Sequence, residues 1–378
     1  MTKKIKSVKL VSDFEYIFKC PICNSSMRVF ELKSLICSNN HTFDFARQGY
    51  INLLTHSVKT KYGKQLFEAR RKLIVEGGFF EPLTQAIAKV IKKQVVLKKG
   101  TVFILDTGCG EGSHLTNLCN MVNSDPKTTV TGVGIDLSKE GILVASKSYT
   151  NKIWCVADLA NTPFKDKQFD VILNILAPSN YAEFNRLLKS DGFVIKVVPQ
   201  SGYLKELREV LFDQSEKQSY SNVETVDLFN ENLHSVNSLR IRYTMNLDNS
   251  LIHSLVQMTP LTWTTSEERV KSFSEKNSAE SYSKRSNPEG NNLKEKIFKT
   301  GNSREQNLEE KSPNERNLER ENLGNLNPDS SEGIEVEYEI VEREILPEKI
   351  ICPDCGGITL EGLDFCDKCG GELHIYNR

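Results

Sequence analysis

Between residues 101 and 198, five short apolar runs alternate with stretches of helical period. The runs are TVFILD (101–106), TVTGVGID (129–136), KIWCVAD (152–158), FDVILNIL (169–176) and DGFVIKVV (191–198). Each is rich in Val, Ile or Phe and short enough to be a buried strand. SHLTNLCNMV after the first run, a segment from Ser138 and EFNRLLK read as helices. Strands separated by helices pair in parallel, so the expected fold is α/β with a doubly wound, mostly parallel sheet. Further on, IEVEYEI (334–340) alternates apolar and acidic positions as a strand does. The stretch before it, 275–332, holds seven Leu, Ile, Val or Phe in 58 residues, and NLEEK and NLERE begin ten residues apart. That content cannot bury a core, and disorder or a loose charged helix is expected there.

In such a sheet, ligands bind at the carboxyl ends of the strands. The turn after the first strand runs Asp106-Thr-Gly108-Cys-Gly110-Glu111-Gly112. Its G-x-G-x-G spacing differs from the G-x-G-x-x-G of a dinucleotide site, and its acidic start suits a ligand carrying a cationic amine better than a pyrophosphate. Asp136 ends the second strand, where a carboxylate can accept ribose hydroxyls. Asp158 ends the third and suits an adenine amino group. Three strand-end acids around a glycine turn describe an S-adenosylmethionine site.

Charge changes the picture at one end of the chain. The net charge is −1, yet residues 1–100 hold 19 Lys+Arg against 7 Asp+Glu, a surplus of 12. A basic front end on a near-neutral protein implies a polyanionic partner. No stretch approaches the roughly 18 apolar residues of a membrane span, and the first residues lack a signal-peptide apolar region, so a cytoplasmic protein with no membrane partner is expected.

Ten cysteines could build a disulfide scaffold, but seven are clustered with metal-ligand spacing. Cys20, Cys23, Cys37 and His41 fall as C-x2-C-x13-C-x3-H. Cys352, Cys355, Cys366 and Cys369 fall as C-x2-C-x10-C-x2-C. Each set offers four ligands and leaves no open position, so two structural zinc sites are expected.

The stretches CPIC…ICSNNHTFDFARQGYINLL, FEARRKLIVEGGFFEPL, LDTGCGEG and LVQMTPLTW occur in one order. Together they resemble the bacterial 23S rRNA (guanine-N1) methyltransferases over residues 18–263. The resemblance implies a Rossmann-like class I methyltransferase with a seven-stranded sheet, a zinc-binding RNA-recognition module, ribosomal RNA as substrate and a homodimer. It implies zinc at Cys20, Cys23, Cys37 and His41, and cofactor contacts at Glu111, Gly112, Phe80 and Tyr203. The implied domains are a zinc module (1–58) and a methyltransferase domain (59–346); the chain departs from the family in a disordered polar insertion at 275–332 before the last strand and in an added C-terminal zinc ribbon (347–378) whose partner is unknown. The loop from Asn174 to Asn180 would face the methyl group. Carbonyls near Ala177 and Pro178 would accept the guanine amino group, and Asn174 would orient the base without removing its proton, so no catalytic residue is assigned. Arg47, Lys59, Lys61, Lys64, Arg70, Arg71 and Lys72 would contact RNA phosphates. Competing readings are a small-molecule methyltransferase using S-adenosylmethionine and a non-catalytic RNA- or ribosome-binding protein.

Overall fold

The computed structural model describes residues 2–95, 98, 100–123, 129–211, 221–233, 237–262, 268, 269, 273, 334–344, 349–351 and 358–360. Cys352, Cys355, Cys366, Cys369 and the span 275–332 lie outside the described residues.

The chain opens with helix α1 (Lys3–Asp13) and a three-stranded antiparallel sheet of β1 (Met27–Phe30), β2 (Ser34–Cys37) and β3 (Thr42–Asp44). Then follow β4 (Ile51–Asn52), α2 (Lys64–Val75) and α3 (Glu81–Val95). The alternating region supplies β5 (Thr101–Thr107), α4 (Ser113–Val122), β6 (Thr129–Asp136), α5 (Lys139–Ser148), β7 (Ile153–Val156), β8 (Phe169–Ile175), α6 (Tyr181–Leu187) and β9 (Leu188–Pro199). It continues with α7 (Lys205–Leu211), α8 (Val223–Asn232), β10 (Asn237–Met245), α9 (Asn249–Met258) and β11 (Ile334–Glu344). A last antiparallel pair, β12 (Lys349–Ile351) and β13 (Ile358–Leu360), stands apart from the large sheet.

The large sheet has the order β10-β11-β9-β8-β5-β6-β7-β4. Strands β4 to β9 pair in parallel, while β11 runs antiparallel to both β9 and β10. The chain proceeds outward from β5 through β6 and β7, then returns to β8 on the other side of β5. This reversal makes the carboxyl end of β5 the switch point at which ligands bind. The strand read at 334–340 is β11, as expected. Seven strands form the expected sheet, and β4 adds an eighth at the β7 edge through Ile51 and Asn52.

Alternation along the strands sorts side chains to two faces. One face packs Ile104, Leu173 and Ile195 against Leu83 and Ile87 of α3 and Leu115 of α4. The other packs Phe103, Leu105, Ile135 and Ile172 against Val8, Val11, Phe18, Leu35 and Phe45 of the N-terminal segment. Those N-terminal residues are buried, and each such side chain contributes about 1.5–3 kcal/mol. Hence the N-terminal segment is continuous with the sheet in packing and, through β4, in hydrogen bonding.

Candidate active site

The glycine turn carries the backbone that only glycine adopts freely. Gly108, Gly110 and Gly112 have φ of 78°, 55° and 80°. A Cβ at Gly108 would stand 2.7 Å from the Ala177 Cβ, so the loop after β8 lies directly against the turn. Asp136 fastens the turn. One carboxylate oxygen accepts from Gly110 N at 2.8 Å and the other from Ser138 N at 2.7 Å. Each oxygen keeps a lone pair for a ribose hydroxyl. Ala157 N donates to Asp136 O, which brings Asp158 to the same edge. There Asp158 is half-buried, and its Oδ1 also accepts from Ala160 N.

Asp106 and Glu111 are buried beside this turn. Burial, reinforced by Glu111 and Asp136, pushes the Asp106 carboxyl up to about 7 against the pull of Arg70. Burial also raises Asp136, while the Ser138 and Gly110 N–H groups hold it down.

Arg70 is placed differently from the expectation. Its charge suggests a phosphate contact, but its Nε lies 3.2 Å from Glu111 Oε2, with the side chain four-fifths covered. Burial works against its charge, and Glu111, Asp106 and Asp136 outweigh it, so it is held firmly protonated. The reason is helical geometry: Arg70 follows buried Phe67 by three residues and precedes buried Ile74 by four, on the inward face of α2. Lys72 also turns to the protein, bonding Ser250 of α9, and Arg71 is half-buried. Arg47, Lys59, Lys61 and Lys64 are exposed, Lys64 pairing with Glu68 at 3.0 Å.

Phe80 and Tyr203 are brought into one aromatic cluster. Phe80 meets His114 edge-on at 4.9 Å and Tyr338 at 5.9 Å, and Tyr338 meets Tyr203 at 5.2 Å. His114 begins the second position of α4, just beyond Gly112. Burial and then Arg70 drive its pKa down to about 3, so it is neutral.

In the loop after β8, Asn174 is fully buried and donates to Thr107 Oγ1 at 3.1 Å and Pro178 O at 2.8 Å. Its side chain holds the loop in shape. Asn180 was expected to face a ligand. Instead its Oδ1 caps α6 through Glu183 N and its Nδ2 bonds Leu159 O. Lys196 of β9 was not singled out from the sequence. Its Nζ reaches Asn174 Oδ1 at 2.7 Å and Ser179 Oγ at 2.6 Å. A lysine inside the apolar run FVIKVV was the available signal.

The four N-terminal ligand atoms lie within 4.8 Å of one another. Cys23 and Cys37 Sγ are 3.7 Å apart, and His41 Nδ1 is 3.5 Å from both Cys20 and Cys37 Sγ. A zinc tetrahedron with Zn–S of about 2.3 Å and Zn–N of about 2.0–2.1 Å has edges of about 3.8 and 3.5 Å. The residues therefore fit zinc, with Nδ1 as the imidazole ligand. The Ser25 hydroxyl and N–H pull the Cys23 thiol down to about 5, favouring the thiolate. The knuckle between Cys20 and Cys23 is tied to the segment after Asp158: Asn161 Nδ2 donates to Pro21 O at 3.3 Å and Lys19 N to Pro163 O at 3.0 Å. The metal cluster is thus tied to the segment that follows Asp158.

A zinc-ribbon family profile described as "RlmA, N-terminal" matches residues 18–62, and one described as "Methyltransferase domain" matches residues 104–192. YxjB of Bacillus subtilis (strain 168) is 51% identical over 276 residues, spanning 72% of this chain and 96% of that protein. Its description as a 23S rRNA (guanine-N(1)-)-methyltransferase is itself provisional. The 23S rRNA (guanine(748)-N(1))-methyltransferase of Streptomyces fradiae is 28% identical, over 65% of this chain and 85% of its own length. Among solved structures, the YcgJ protein of Bacillus subtilis is similar over 68% of this chain and 97% of its own, at 15% identity and a TM-score of 0.37.

Proposed function

The chain belongs to the 23S rRNA (guanine-N1) methyltransferase family, and on that footing we propose that it methylates N1 of a guanine in a hairpin of large-subunit ribosomal RNA. The observation that carries the reading is the docking of the zinc knuckle on residues 161 and 163, in the segment that follows Asp158. An RNA grip fixed there delivers a base to the switch point of the sheet.

S-adenosylmethionine would supply an electrophilic methyl group on a sulfonium that leaves as a neutral thioether. Asp136 and Asp158 would take its ribose and adenine. The Gly108–Gly112 turn would take its backbone-facing side, and Phe80 with Tyr203 would flank it. The buried carboxylates of Asp106 and Glu111 suit a cationic ligand. The protein's remaining task is placement and exclusion of water. A paired guanine hides N1, so the target must be unstacked, at a cost of a few kcal/mol unless it already lies in a loop. The 174–180 loop, pressed on Gly108 through Ala177, would receive it, with Ala177 and Pro178 carbonyls toward the guanine amino group. Arg47, Lys59, Lys61 and Lys64 would track phosphates, and the exposed side chains of Ile22, Phe30 and Leu32 on the ribbon offer apolar surface for unpaired bases.

We also propose the finer features: a second zinc at Cys352, Cys355, Cys366 and Cys369, a homodimer, and residence in the cytoplasm. Calorimetry with S-adenosylmethionine, followed by transfer of labelled methyl to unmodified 23S rRNA, tests the reading. Cofactor binding with label only on small metabolites would replace RNA as the substrate. Absence of cofactor binding would remove the enzyme.

A further inference from the structure

We propose that Lys196, acting through Ser179, takes up the proton that guanine N1 loses on methylation. The inference rests on the methyl-transfer reading above and supplies the proton acceptor that the other loop residues do not provide.

Lys196 lies in β9 between Ile195 and Val197, and 3% of it is exposed. The parallel register sets it opposite Asn174, at the base of the 174–180 loop. Its two partners, Asn174 Oδ1 and Ser179 Oγ, are both neutral, and among the described residues no carboxylate pairs with it. A buried ammonium in such company is unfavourable, and burial brings Lys196 down to about 8. The neutral amine has two hydrogens and one lone pair, so it can donate to Asn174 Oδ1 while its lone pair faces the Ser179 hydroxyl. The other titratable group tied to this cluster is Tyr181, whose hydroxyl is bonded to Ser179. Burial raises its pKa, so it stays neutral.

Ser179 connects this amine to the surface of the loop. It is half-buried, and its Oγ lies 3.0 Å from Asn174 Oδ1 and 2.6 Å from Lys196 Nζ. Its hydroxyl hydrogen can turn to either. The same loop abuts the glycine turn through Ala177, so the pair stands where the base loop and the cofactor turn meet. Guanine N1 gives its proton to Ser179 Oγ as the Ser179 proton passes to Lys196 Nζ. The N1 electron pair forms the bond to the methyl carbon, and the carbon–sulfur pair remains on sulfur. Ser179 ends as a hydroxyl and Lys196 as an ammonium that later releases its proton to solvent. Lys196 is a positioning residue in this scheme, since it acts through Ser179.

The test compares full-length wild type with Lys196→Met, Lys196→Arg and Ser179→Ala. The readouts are single-turnover methyl transfer to unmodified 23S rRNA across pH 6–10 and cofactor affinity by calorimetry. The wild-type rate should rise with pH to a plateau, with an inflection near 8. Lys196→Met should lose on the order of 10²-fold or more and the inflection, with cofactor affinity unchanged. Lys196→Arg keeps donors and charge but cannot accept a proton, and should fall as far. Full activity in Lys196→Arg, or an unaltered inflection in Lys196→Met, overturns the proposal. If Lys196→Met does not fold, Ser179→Ala decides by the same profile. Independently, NMR of the Lys196 side chain in the free enzyme should show titration near 8, and titration above 10 overturns the proposal without any turnover. A wild type that methylates no RNA removes the reaction itself, an outcome distinct from active variants beside an active wild type.

Discussion

Arg70 Nε stands 3.2 Å from a Glu111 carboxylate that is fully buried, so a cation of the basic N-terminal third is turned into the ligand site. With Asp106 and Asp136 close by, this pair would set the charge that an incoming cofactor meets. Removing Glu111 takes away the largest of the three carboxyl contributions that offset the burial of Arg70. Glu111→Gln should lower stability by about 3 kcal/mol in urea unfolding and weaken cofactor binding. Unchanged stability would mean that the pair is solvated in solution.

Asp106 gives a pH signature. Its folded pKa of about 7 exceeds the unfolded value near 3.9, so the folded state binds more protons between these limits. Its contribution to stability is full below about pH 4 and is lost as pH rises to about 7. Urea midpoints of the ligand-free protein should carry this downward component, and Asp106→Asn should remove it. A cationic ligand favours the ionised carboxylate, so cofactor affinity should rise with pH across the same window.

Wild type should carry two zinc ions per chain by elemental analysis, Cys352→Ser one, and Cys37→Ser one. Loss of the N-terminal ion should also expose the sheet face that Phe18, Leu35 and Phe45 cover, because zinc coordination supplies on the order of 10 kcal/mol to a ribbon's folding. Dye binding to apolar surface in Cys37→Ser but not in Cys352→Ser is the expected contrast.

RNA binding should depend on the exposed cations alone. Charge removal at Lys59, Lys61 and Lys64 together should flatten the salt dependence by about 2 units of slope, slightly less than three contacts would give because Lys64 already pairs with Glu68. Neutralising Lys72, which bonds Ser250, should leave the slope unchanged.

What the sequence disclosed was local chemistry. The bounds of β6 coincide with the apolar run TVTGVGID, α4 follows the glycine turn as read, and Ser138 caps α5. Glycine spacing and C-x2-C spacing are legible because a turn or a metal site imposes them over a few residues. The pairing of β4 with β7 was not legible, since a two-residue strand has no period of its own and its partner lies about 100 residues away. The charge of Arg70 alone points to solvent, whereas its place on the α2 face turns it inward, and Lys196 lies in a run whose apolar pattern is that of a plain strand. In both cases the conflict between a charged residue and an apolar neighbourhood marked the site.

The central claim is methylation of guanine N1 in 23S rRNA. Its most direct measurement is mass spectrometry of nucleosides from 23S rRNA of a strain lacking the gene, before and after incubation with purified zinc-loaded enzyme and S-adenosylmethionine. The account predicts the appearance of N1-methylguanosine at a single hairpin position. No new methylated guanosine, with cofactor binding intact, would contradict it.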